Sequence, residues 1–220
     1  MHGEPLSFFT HDLITGIFLL WSVLFMALWL NYRKRLRAVF TNFVSQQYQN
    51  FYGRDERLLF NPFNMIAGVM FFLATSLFIY LTILRFGPSL LYVGEIPQFP
   101  VIMLWVLAFY VIKSFITWGI GWALNKLTDA RLFLFSRYAF LQVISMIVML
   151  FMGFYFFLPA LNNWFFYAGL ALGAFLFVWY TIRLALGALQ SRWLSLKYIF
   201  LYICAFEIAP LIIVYFKVVK

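Results

Sequence analysis

Six stretches of this chain are almost free of charge, and each is long enough to form a helix through a lipid bilayer: Leu13 to Leu30, Pro62 to Leu84, Val101 to Leu124, Tyr138 to Ala160, Trp164 to Leu184 and Tyr198 to Phe216. About 20 apolar residues in α-helical form bridge the roughly 30 Å of bilayer hydrocarbon. A water-soluble domain carries roughly 25% charged residues; this chain carries 10%. With 30 phenylalanines and an aromatic share of 23%, the outer surface must be apolar as well. Lipid is the solvent that accepts such a surface. The sequence therefore predicts an all-α, polytopic membrane protein: one integral membrane domain over residues 1–220, built as a six-helix transmembrane bundle.

The orientation follows from the charges between the spans. The leading segment MHGEPLSFFTHD holds Glu4 and Asp12 but no Lys or Arg, and the first span is followed by NYRKRLR. This is the reverse of a cleavable secretory signal, which has a basic head and a small-residue cleavage site. The first span is thus expected to stay as an anchor with the N-terminus outside. Loops on the cytoplasmic side of membrane proteins are enriched in Lys and Arg. With the N-terminus outside, that side collects Arg33, Lys34, Arg35, Arg37, Arg54, Arg57, Lys126, Arg131, Arg137, Arg183, Arg192 and Lys197, twelve of the 16 basic residues. Arg85, Lys217 and Lys220 are left outside, and both termini face outward. The net charge of +9 is thereby explained by topology, and no groove-reading motif points to nucleic acid. Tyr32, Tyr138, Trp164, Trp193 and Tyr198 fall near span ends, where Trp and Tyr favour the headgroup level.

Two connections carry pattern. Leu36, Val39, Phe40, Phe43, Val44, Tyr48 and Phe51 recur at steps of three and four, with Asn and Gln on the other face and Gly53 as a stop. That spacing predicts an amphipathic helix over about 35–52, lying in the membrane interface or packed on a neighbour. The connection RFGPSLLYVGEIPQFP is apolar but interrupted by Pro88, Pro97 and Pro100, so it is no regular span. Gly169 and Gly173 form a small-xxx-small step that permits close helix approach. Leu36, Phe40, Phe43, Phe51, Gly169 and Gly173 are the candidate interface residues. No internal repeat stands out, which argues against the inverted-repeat transporters.

Chemistry inside the membrane rests with a few polar groups. An ionisable side chain at mid-span costs about 2.5–3.5 kcal/mol on insertion scales and ordinarily turns inward to a partner. Lys113 lies near the centre of the third span and Glu207 near the centre of the sixth. They are expected to pair, as a pin between helices or as a proton or ion relay; the alternative for Lys113 is to snorkel toward one face. Pro210 removes the helical donor to the carbonyl of Phe206, so a kink or small polar pocket is expected beside Glu207. Gln142 and Ser145 share a face of the fourth span, as Ser114 and Thr117 do on the third, and interhelical hydrogen bonds account for them. Both histidines, His2 and His11, precede the first span, and the lone cysteine, Cys204, sits within the last. No catalytic set, metal site or cofactor site is expected; His2, His11, Glu4 and Asp12 would have to hold a metal on a terminus.

The segment YIFLYICAFEIAPLIIVYFKV resembles the closing motif of a Bacteroidota family of integral membrane proteins known as domain of unknown function 4271, and Tyr202, Cys204, Glu207 and Pro210 carry the likeness. Lys113 in YVIKSFITWGIGW is similar to that family's lysine-containing span. The resemblance implies a multi-pass protein of the bacterial inner membrane, with both termini periplasmic, and no established activity. The leading functional expectation is a non-enzymatic subunit or accessory factor of a membrane complex, with the lipid bilayer and other membrane subunits as its partners. The alternative is a small proton-coupled carrier that uses Glu207 and Lys113. A lipid-active enzyme relying on Arg131, Arg137 and Arg192 is the third option.

Overall fold

The structure is a computed structural model that describes residues 8–41, 61–86, 98–158 and 162–190. These residues form five helices and no strand: α1 (Phe8–Thr41), α2 (Pro62–Phe86), α3 (Gln98–Ala123), α4 (Leu127–Phe157) and α5 (Asn162–Gln190). All five are long and apolar enough to cross a membrane. The expected sixth span lies outside the described residues, as do the amphipathic segment beyond Thr41, with Phe43 and Phe51, and most of the Pro-punctuated connection.

Helix α1 continues past the expected end of its span. At Tyr32 its backbone leaves the helical region (φ −131°, ψ 31°), and the chain then resumes helix to Thr41. The buried residues Ile14, Ile17, Phe18, Trp21 and Leu28 come before this kink and Leu36 and Val39 after it, all in one apolar core. Leu36 is therefore packed inside the bundle, whereas Phe40 is exposed. The described part of the amphipathic stretch is a continuation of α1 in which Leu36 and Val39 are covered and Phe40 is not.

Helix α2 begins as its sequence dictates. Asn61 caps it, its Oδ1 accepting the Phe63 backbone N–H at 3.1 Å. Pro62 takes the first helical position, where its missing N–H removes no helical bond. Phe63, Ala67, Met70, Ala74, Leu77 and Leu81 are buried. Their alternating steps of four and three make the apolar seam of a closely packed bundle helix.

Helix α4 is central. From Phe135 to Val143 every residue except Tyr138 is buried, so the helix is enclosed round its whole circumference. It packs on α1, α2, α3 and α5. The sequence pattern predicts its start at Tyr138, but the helix begins at Leu127. The turn before it is only Leu124 to Lys126, too short to hold the Arg131 and Arg137 charges in a loop. It is closed by a paired helix-end motif in which the Lys126 N–H donates to the Gly121 carbonyl at 2.8 Å and the Asn125 N–H to the Trp122 carbonyl at 3.1 Å. Asn125 takes the left-handed conformation (φ 54°), which asparagine tolerates better than other side-chain-bearing residues.

Cross-helix ring contacts give the direction of each helix. Tyr32 at the lower end of α1 meets Phe63 at the start of α2. Tyr80 near the end of α2 meets Phe99 at the start of α3. Phe18 of α1 meets Phe156 at the end of α4, and Tyr155 of α4 meets Phe166 of α5. Successive helices therefore alternate up and down. Arg33, Lys34, Arg35, Arg37, Lys126 and Arg131 gather at one end of the bundle, and Arg85 stands at the other, its guanidinium 4.5 Å from the Phe166 ring centre and 5.0 Å from that of Tyr167.

Candidate intramembrane ion centre

The α3–α4 hairpin fixes a register. Gly121 of α3 abuts Ala130 of α4, and farther from the turn the Ser114 hydroxyl lies 2.8 Å from the Tyr138 hydroxyl. Both pairs straddle Asn125 almost symmetrically. Lys113 and Arg137 stand twelve positions before and after Asn125, so the same register places them at one level. Each is ten residues into its helix from the turn, about 15 Å at 1.5 Å per residue.

Both cations are inside the protein. Arg137 is 0% exposed and Lys113 3%. The Arg137 guanidinium lies 5.5 Å from the centre of the Tyr110 ring, and that ring meets Phe71 of α2 edge-on at 4.9 Å. Lys113 Nζ is 5.7 Å from the Phe109 ring centre, one turn back along α3. Such cation–π distances contribute about 0.5–2 kcal/mol each, the upper end when desolvated. Phe71 belongs to a second apolar cluster with Phe140, Leu141 and Tyr180, so the centre lies where α2, α3 and α4 converge.

Neutral polar groups lie along the same two helices. Ser114 donates to the Tyr110 carbonyl at 2.7 Å and so serves the helix backbone as well as Tyr138. Thr117 donates to the Lys113 carbonyl at 2.8 Å, and Ser145 to the Gln142 carbonyl at 2.8 Å. These bonds back onto their own helices, as expected of hydroxyls in an apolar medium. Among the described residues the carboxylates are Asp12, at the start of α1, and Asp129, in the first turn of α4; neither reaches this level. No group of three or more His, Cys, Asp or Glu side chains is found among the described residues.

Of the residues singled out from the sequence, Lys113 is in this centre. Glu207, Pro210, Tyr202 and Cys204 lie outside the described residues. Gly169 and Gly173 face α4 of the same chain. A β-carbon at 169 would come 3.0 Å from Phe151 Cβ and 3.2 Å from Met152 Cε, and one at 173 would come 3.4 Å from Val148 Cγ2. Sequence reasoning missed Arg137, which it placed among the cytoplasmic loop charges. A signal was present: Leu132, Phe133, Leu134 and Phe135 precede it without a turn residue, and Asp129 is an acid suited to a first helical turn.

The family model for Domain of unknown function (DUF4271) matches residues 14–217. The chain belongs to this family. The match runs from within α1 through the other four described membrane helices and includes Lys113 and Arg137. No curated protein and no solved structure matches the chain.

Proposed function

We propose that this DUF4271 member is a non-enzymatic protein of the bacterial inner membrane, as its family resemblance to Bacteroidota proteins implies, and that it works as a small proton-coupled carrier. Lys113 is its working cation and Glu207 its relay. The observation that carries this reading is the burial of Lys113 and Arg137, each ten residues from the turn of the α3–α4 hairpin and inside an apolar helix. Each such charge costs about 2.5–3.5 kcal/mol to place in a membrane. A tie between two helices needs neither of them, since a hydroxyl pair such as Ser114 and Tyr138 serves at far lower desolvation cost. Ionisable groups held at that depth mark ion and proton paths by default. By the positive-inside rule we read the end of the bundle with Arg33, Lys34, Arg35 and Arg37 as cytoplasmic and both termini as periplasmic.

A carrier must open its centre to water. In a Cys204→Ser background, Lys113→Cys is expected to react with a membrane-impermeant thiol reagent from at least one side of inverted and right-side-out vesicles. Protection from both sides would remove the carrier reading.

A second reading, the non-enzymatic subunit of a membrane complex, is favoured by the outer flank of α3. Trp105 is 71% exposed and Phe115 70%, with Leu104 and Trp122 similarly bare, and Trp105 lies below the headgroup level that tryptophan prefers. A photo-crosslinking residue at Phe115 that captures only lipid would end this reading.

A further inference from the structure

We propose that the lower end of α1 is a docking surface for an acidic phospholipid, its phosphate held by Arg33, Lys34 and Arg37 and an acyl chain lying along the apolar flank of the same helix. The proposal is independent of the carrier reading. Two faces of α1 are cleanly separated. Leu28, Leu36 and Val39 are buried in the bundle, and Arg35 lies on that inner side, its guanidinium 5.1 Å from the Phe63 ring centre. The opposite face carries the exposed side chains Leu19, Val23, Met26 and Leu30, the last of them 73% exposed. It then continues into Arg33, Lys34 and Arg37, all exposed. The break at Tyr32 does not divide this face, because the Arg33 guanidinium reaches back to lie 5.3 Å from the ring centre of Trp29.

The order of groups along this face is that of a lipid molecule. An apolar flank ends at a tryptophan, a side chain that favours the headgroup level, and three cations follow within little more than one turn. Juxtamembrane clusters of Lys and Arg attract anionic headgroups, and a guanidinium matches two phosphate oxygens with its planar fork of donors. Charge at this end is complementary to such a headgroup: among the described residues Arg33, Lys34, Arg35, Arg37, Lys126 and Arg131 gather there against Asp129. A zwitterionic headgroup brings a cation of its own to the cluster. A water-soluble acidic protein would match the charges but leave the apolar flank uncovered.

The test places a photo-crosslinking residue at Leu30 of the full chain, in vesicles of equal phosphatidylglycerol and phosphatidylcholine, and identifies the captured lipid by mass. Trp122, exposed on α3 at the same end, is the comparison position. Phosphatidylglycerol is expected to exceed its share of the mixture at Leu30 and not at Trp122, and the excess should fall in ~1 M salt, where the screening length is about 3 Å. Arg33→Gln, Lys34→Gln and Arg37→Gln should each reduce the excess about 2- to 5-fold, whereas Arg131→Gln, on the exposed surface of α4 at that end, should leave it unchanged. All four are surface changes of a kind that folded proteins tolerate. Capture at Leu30 in proportion to the mixture, an equal excess at Trp122, an equal effect of Arg131→Gln, or capture of protein in place of lipid overturns the proposal.

Discussion

Replacing Gly121 by alanine tests the register on which the ion centre depends. A β-carbon on residue 121 would overlap that of Ala130 across the hairpin, and neither atom can rotate away, because the direction of a Cβ is set by its own backbone. Alanine is better than glycine in a helix interior by ~1 kcal/mol, so without the contact the variant would gain stability. Overpacking a tight site costs about 1–3 kcal/mol, which leaves an expected net loss of ~1 kcal/mol. Ala130→Gly alone forfeits about 1 kcal/mol of helix propensity. The double variant Gly121→Ala/Ala130→Gly moves the methyl from one helix to the other and removes the overlap. It should therefore be more stable than the two single changes predict, by about 1–3 kcal/mol. The assay is unfolding by dodecyl sulfate in mixed micelles, followed by tryptophan fluorescence. A Gly121→Ala protein at least as stable as its parent, with a cycle additive to within ~0.5 kcal/mol, would refute the register and with it the level placement of Lys113 and Arg137.

The two glycines on α5 should differ. Gly169→Val meets the Cβ of Phe151, which cannot yield, and should lower stability by about 1–3 kcal/mol, whereas Gly173→Ala meets Val148 at 3.4 Å and should be neutral or stabilising in the same denaturation assay. Asn125→Val places a β-branched residue at φ 54° and should cost about 1–2 kcal/mol, while Asn125→Gly should not. Lys113→Ala and Glu207→Ala should each lose about 3–5 kcal/mol if the two form a buried pair, and the double variant should lose much less than their sum; strict additivity in thermal unfolding would dispose of the pairing.

Length and hydropathy made the membrane helices legible, because the cost of leaving backbone unsatisfied in hydrocarbon forces any long apolar run to be helical. The ends are legible where an apolar run stops cleanly, as at Pro62 for the start of α2 and within one residue of Leu124 for the end of α3. They were read worst where charge stood in for chemistry. Arg131 and Arg137 looked like loop residues because basic residues usually report sidedness, yet a turn of Leu124 to Lys126 leaves them nowhere to go but into α4. For the same reason Lys113, alone in its span, was legible as a site residue and Arg137, close behind another arginine, was not. Leu36 showed the limit of periodicity: its stripe was real, but a helical stripe does not say whether lipid, a partner or the rest of α1's own core will cover it.

The three-residue turn between α3 and α4 has a mechanical consequence. With Asn125 locked left-handed and Gly121 seated on Ala130, the hairpin has no slack and behaves as one stiff lever. Lys113 and Arg137, twelve positions to either side of Asn125, are thus held in one register by the turn.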